Sequence, residues 1–448
     1  MSSNDKENSV EAPEMAVEPK IDDSGAAGLD VEVEVDRHGN WVSAFMHIST
    51  AIIGAGVLTL PYTIAVLGWI GGFVTLFICL AATKLTTELL ARVTVADGVR
   101  YRHFGELVYG VLGARSSLWL SVVQNVFLAL VGLGYSITAA EVMRNVARSC
   151  CTPGEPCFDS YFVFAIIFGL VQCVLAQTPS MDSMAHMSVI GAATSLAYSL
   201  VAIGLSFAAG DGGTHTLRGK ELPPLQKMFA VFNAVGLQSS AYVFIMIQVE
   251  IFDTIKTDAK GPAWHMSRAI NFALLGTTIL YVGVAASGYL AFGVDVCHNV
   301  LSCVQNPAWA IRMGNILVLI HMVPAYQLYM QPFYQMVERN VRRIKRFPPR
   351  LHGWPLRLSF RTAHTVANTI VTIAIPFFGD IIGLVGACTF FPCMYFPLQL
   401  YKVVRKPSDR VRRTLNIIVV IAFFVTLMSA AGSVQQIVVH SSEYTMFG

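Results

Sequence analysis

Charge is scarce in this chain. Only 13% of its 448 residues are Asp, Glu, Lys or Arg, about half the share of an ordinary soluble domain. In its place stands apolar surface: 54% of residues are hydrophobic and the mean hydropathy is +0.57. Segments of roughly 20 apolar residues, each long enough to cross a hydrocarbon core about 30 Å thick, recur along nearly the whole length. No soluble core needs that many, so a polytopic all-α membrane protein is expected. Catalytic signatures are also missing. There is no Gly-x-x-x-x-Gly-Lys loop, no His-Glu-x-x-His and no soluble stretch large enough to hydrolyse ATP. Enzyme chemistry is not expected, and transport must run downhill or on an ion gradient. No apolar run lies near Met1, so no cleavable signal is expected and the first span would act as the insertion signal.

Residues 1–40 carry eleven acidic residues against Lys6, Lys20 and Arg37, and read as a disordered acidic tail. The transporter body is expected from 41 to 448. Eleven spans are predicted near 42–67, 69–92, 118–146, 160–178, 186–209, 228–254, 269–292, 309–337, 362–378, 381–401 and 415–438. The stretch 95–115 reads as an amphipathic surface helix. Lys and Arg crowd the gaps after the second, sixth, eighth and tenth spans. Only Arg144, Arg148, Arg218, Lys220 and Lys227 fall in the opposite gaps. The positive-inside rule therefore puts the N-terminus in the cytoplasm and the C-terminus outside. The outer gaps hold Cys150, Cys151, Cys157, Cys297 and Cys303, on the oxidising side. A disulfide from Cys157 to Cys150 or Cys151 is expected, with Cys297–Cys303 as a second candidate. With no histidine beside the first group, no metal site is expected.

Gly54-Ala55-Gly56 interrupts the first apolar segment (41–68), and Gly236-Leu237-Gln238-Ser239-Ser240 interrupts the sixth. A helix broken at bilayer depth frees backbone groups that hydrocarbon does not tolerate unless they line a cavity. Two breaks in corresponding positions of two halves point to a transporter's substrate site. Being five spans apart, they predict inverted repeats of about 41–210 and 226–402, with an added helix at 415–438. The first break should offer carbonyls near Ile53, for an ammonium, and amides from Gly54 to Val57, for a carboxylate. The second should offer the Gly236 carbonyl and the side chains of Gln238, Ser239 and Ser240, with Tyr242 as a lid. Asn125, in the third span, is either a ligand contact or an interhelical bonder.

Ionisable groups inside spans are costly and deserve a functional reading by default. His47 and His321 are proton-coupling candidates, because imidazole titrates near neutral pH, though each can equally be a neutral interhelical bonder. Glu250 and Asp253, at the inner end of the sixth span, are candidates for a cytoplasmic gate paired to basic residues. Asp380 reads as a helix cap.

Longer motifs then narrow the field. WVSAFMHISTAIIGAGVLTLPYTIAVLGW at 41–69 resembles the first-helix motif of plant-type permeases in the amino acid/auxin permease family, within the APC superfamily. GYSITAAEVMR at 134–144, VEIFDTIK at 249–256 and YLAFG at 289–293 continue the resemblance. HMVPAYQLYMQPFYQMVE at 321–338, PFFGDIIGLVGA at 376–387 and AAGSVQQI at 430–437 complete it. The resemblance implies a five-plus-five inverted-repeat fold with broken helices 1 and 6. It also implies symport of amino acids with protons across the plasma membrane or an endomembrane. By motif, His47, Gly54, Gly56, Glu250 and His321 fall on shared positions; Ala55 and Pro324 depart from the pattern. The expected partners are an amino acid, protons and the lipid bilayer, with no cofactor and no nucleic acid. Carriage of an indole acid or GABA, and an amino acid receptor on the same fold, are the alternatives.

Overall fold

The computed structural model describes residues 18–21, 27–30, 37–96, 99–151, 157–178, 185–210, 212–256, 258–342, 353–375 and 378–443. Within the tail, β1 (Glu18–Ile21) pairs antiparallel with β2 (Ala27–Asp30). The rest of the expected disorder, over residues 1–36, lies outside the described residues. Residues 37–40 correct the tail boundary, because they are bound to the body. Arg37 reaches Asp253 at 2.7 Å, and Gly39 N–H donates to Thr254 O at 3.0 Å. Asn40 then caps α1 (Trp41–Ile52), its side chain accepting the N–H groups of Val42 and Ser43.

After α1 the chain loosens into a 3-10 turn, Ala55–Thr59, and tightens again into α2 (Leu60–Ala91). α2 bends at Gly68, whose φ of +78° suits glycine alone. That bend separates the first span from the second, as the sequence predicts. A two-residue ladder, β3 (Val95–Ala96) with β4 (Val99–Arg100), and the short surface helix α3 (Phe104–Leu112) follow. The third to fifth spans are α4 (Ala114–Cys150), α5 (Tyr161–Leu175) and α6 (Ala185–Ala209). The sixth is again interrupted: α7 (Pro224–Ala241), a 3-10 turn at Ile245–Ile247, and α8 (Gln248–Asp253). Then come α9 (Pro262–Phe292), the one-turn α10 (Val300–Cys303), α11 (Ala308–Arg342), α12 (Trp354–Ala374), α13 (Phe378–Arg405) and α14 (Asp409–Glu443). α11 continues through Pro324 and Pro332.

Among the described residues, eight helical segments are long and apolar enough to cross a membrane, and α1 and α5 are shorter apolar helices. α12 is span-length, but its buried stripe of Arg361, Thr365, Asn368 and Thr372 is polar. Together these account for the eleven expected spans of a multi-pass integral membrane protein. Large apolar side chains such as Ile70, Phe77, Ile421 and Phe424 point outward on α2 and α14, where only lipid can cover them at no hydrophobic cost.

The two halves pack as a two-fold relation requires. α1 lies on α6 as α7 lies on α13, and α6 lies on α11 as α13 lies on α4. α4 with α11, and α5 with α12, pack against their own counterparts. Consequently the breaks after α1 and after α7 meet near the middle of the bundle.

A candidate substrate site at two broken helices

α1 and α7 approach from opposite ends of the bundle, and both stop there. Each presents its carbonyl end, the negative pole of the helix. Three buried tyrosines on neighbouring helices meet these carbonyls. Tyr281, on α9, lies 2.7 Å from Ile52 O and 2.6 Å from Ala241 O. Tyr329, on α11, lies 3.1 Å from Ala51 O and 2.9 Å from Val243 O. Tyr198, on α6, lies 2.9 Å from Ile53 O and 3.0 Å from Gly54 O. A phenol carries a single proton, so three hydroxyls face six carbonyls and the cluster has acceptors to spare. Tyr281 and Tyr329 each bridge the two breaks.

Beside this cluster is a small cavity of about 50 Å³. Ala51, Ile52, Gly54, Gly56, Ser240, Ala241 and Val243 from the breaks line it, with Phe127, Val131 and Tyr135 of α4, Tyr329, and Ile382 and Val385 of α13. On its amide side, Gly54 N–H donates to Ile52 O and Val57 N–H to Gly54 O. The N–H groups of Ala55 and Gly56 open the 3-10 turn, where geometry gives them no acceptor within it. The side chain of Ala55 lies outside the described residues.

Several expectations for the second break need correction. α7 runs unbroken through Gly236, so that carbonyl is not freed. Gly236 is instead a close-packing point, and a Cβ there would lie 2.8 Å from Gly383 O on α13. The real break is at Tyr242–Phe244, six residues later. Gln238 does not face the cavity, because its amide clamps the two arms of the α2 bend. It donates to Thr63 Oγ1 at 2.9 Å and Gly72 O at 3.0 Å, and accepts from Thr75. Ser239 turns toward Cys79 Sγ, at 3.8 Å. Tyr242 packs its ring on Tyr281 and meets Thr278, facing α9 and not the cavity. Asn125 is not among the residues lining this cavity, and its amide donates along its own helix to Ser121 O at 2.7 Å. Ser240 lines the cavity as expected, with its hydroxyl donated to Leu237 O.

Both histidines face α6. His47 shares a 2.7 Å hydrogen bond with Ser188 Oγ, and His321 lies 2.8 Å from Gly191 O through Nδ1. His321 also stacks edge-on against Tyr198, one layer behind the cavity. Toward the α3 face, Asp253 pairs with Arg37 and, at 3.3 Å, with Arg102. Glu250 Oε1 accepts the Phe104 N–H at 3.3 Å. It lines a second cavity, of about 120 Å³, with His103, Glu106, Gln124 and Arg339. Burial, and then Arg339 and Arg102, hold the His103 imidazole well below its ordinary pKa. Asp380 is buried at the start of α13. Cys151 bonds Cys157, and Cys297 bonds Cys303.

The tyrosine cluster was not foreseen from the sequence. The available signal was a tyrosine in mid-span, whose hydroxyl must find a partner once buried.

Comparison with known proteins agrees with this architecture. Amino acid permease 6 of Arabidopsis thaliana is 31% identical, over 99% of this chain and 99% of its own length. Lysine histidine transporter-like 6 of the same plant is 31% identical, over 92% and 94%. Among solved structures, Mhp1, a nucleobase-cation-symport-1 family transporter in a closed conformation with bromovinylhydantoin bound, is similar in fold. Its TM-score is 0.56 at 12% identity, over 92% of this chain and 95% of that one. Residues 37–439 match the family model described as transmembrane amino acid transporter protein, and the chain belongs to that family.

Proposed function

We propose that this chain is a proton-coupled amino acid symporter working by alternating access. The observation that carries the site is the convergence of two carbonyl ends on three hydroxyl protons. An ammonium brings three donors and a positive charge to surplus acceptors at two negative helix poles. The α-carboxylate takes the Ala55 and Gly56 amides. The cargo side chain lies against Phe127, Val131, Ile382 and Val385, a wall without a charged group among the lining residues. An indole acid fits less well, because it has no ammonium for the carbonyls.

Lys and Arg distribution supports a cytoplasmic N-terminus. The α3 face is then cytoplasmic and the disulfides are external, which suits the plasma membrane. The decisive test is uptake of each labelled amino acid in a permease-deficient host over a range of external pH, with and without sodium. Uptake that rises with external acidity and persists without sodium is expected. Sodium-dependent uptake indifferent to pH would overturn the coupling.

A further inference from the structure

α8 carries two carboxylates with different surroundings. Asp253 lies between two guanidiniums, Arg37 at 2.7 Å and Arg102 at 3.3 Å, so its charge is compensated. Glu250 sits one turn earlier and is 8% exposed. Its Oε1 accepts the backbone N–H of Phe104. Its Oε2 is buried and has no hydrogen-bond partner among the described residues. Among the described residues, the cationic group paired with it is His103, 3.9 Å away. Arg339 is committed to Glu106 across the same pocket. From α4 that pocket receives Ser117, Ser121 and Gln124, none of them charged. A buried carboxylate with no cation committed to it is costly as an anion and stable as an acid.

Position matters as much as surroundings. Gln124, which lines the Glu250 pocket, donates through Nε2 to Met246 O at 2.6 Å, inside the broken stretch of the sixth span. One short turn of α8 therefore separates the substrate-site break from the Glu250 carboxyl. On its other side α8 is strapped to the α3 face. Arg100 donates to Phe252 O and Ile255 O, and Gly39 N–H to Thr254 O.

From this geometry we infer that Glu250 is the group that binds the coupled proton and releases it on the α3 face. The proposal rests on the symport reading above. With α8 docked, the carboxylate holds one proton taken from the outer solution. When α8 swings away from α3, water reaches both oxygens, the O–H bond breaks, and the proton passes to cytoplasmic water. This step runs through neither His47 nor His321, which face α6 and not the α3 side. Burial, with Arg339 and Arg102 nearby, disfavours a charged His103 beside Glu250.

The test uses the full-length chain in proteoliposomes, with an acid-outside pH gradient and a radiolabelled mixture of the twenty amino acids. The wild type accumulates label above the external concentration and acidifies the lumen. Glu250→Gln, a permanent mimic of the protonated state, is expected to lose both accumulation and acidification. It should still equilibrate label by counterflow exchange, and Glu250→Asp should regain part of the accumulation. Gradient-driven accumulation by Glu250→Gln at the wild-type level overturns the inference. Loss of counterflow in Glu250→Gln without rescue by Asp also overturns it, because the residue would then serve structure alone. A wild-type protein that exchanges amino acids but never concentrates them sinks the symport reading instead.

Discussion

At Gly54 one missing methyl leaves room beside the Tyr135 ring. A Cβ there would sit 3.2 Å from the Tyr135 hydroxyl, and anything longer would enter the cavity. Gly54→Leu is therefore expected to abolish uptake while surface biotinylation shows normal delivery. Overpacking costs roughly 1–3 kcal/mol, which a folded membrane protein can survive. Wild-type uptake in that variant would remove the cavity from the pathway. Tyr329→Phe deletes a hydroxyl shared by Ala51 O and Val243 O. Leaving buried acceptors without a donor costs roughly 1–3 kcal/mol, so thermal stability of the substrate-free protein in detergent should fall by that order. Unchanged stability would show those bonds to be idle. Glycine announced the first break because its lack of a side chain is visible in the sequence. The tyrosines did not announce themselves, since the carbonyls they serve come from helices far away in the chain.

The second break illustrates how an element can hide. Tyr242, Val243 and Phe244 include no glycine or proline, so nothing local predicts an interruption there. The chain stays open after α7 because other helices take the carbonyls there: Tyr281 at Ala241, Tyr329 at Val243 and Gln124 at Met246. Glycine misled at position 236 for a related reason. It serves close packing on α13, where Gly386 in turn abuts the Gly236 carbonyl. The polar run that follows looked like a ligand surface, yet polarity alone does not say which face of a helix it occupies. Gln238 faces α2 and holds its bend. Gln238→Leu should thus lower thermal stability in detergent by roughly 1–3 kcal/mol, with the order of preference among amino acids unchanged. A switch in preference with intact stability would return Gln238 to the substrate site.

For the whole molecule, span number and the pairing of the two halves follow from long apolar runs and from breaks five spans apart. Both are properties of composition and spacing, which a sequence displays directly. The proposed sidedness rests on Lys and Arg placement, and it has a chemical check built into the chain. Cys151, Cys157, Cys297 and Cys303 are consumed in disulfides. Of the free thiols, Cys79 and Cys393 are buried, Cys173 and Cys388 are half-buried, and Cys150 is exposed at the end of α4. That end lies beside both disulfides and opposite α3, so the proposed orientation turns it outward. A membrane-impermeant maleimide applied to intact cells should label the wild type, and Cys150→Ser should remove that label. Labelling that required permeabilisation would turn the molecule over in the membrane. The cavity beside Glu250 would then open to the exterior, and the direction of proton release would reverse with it.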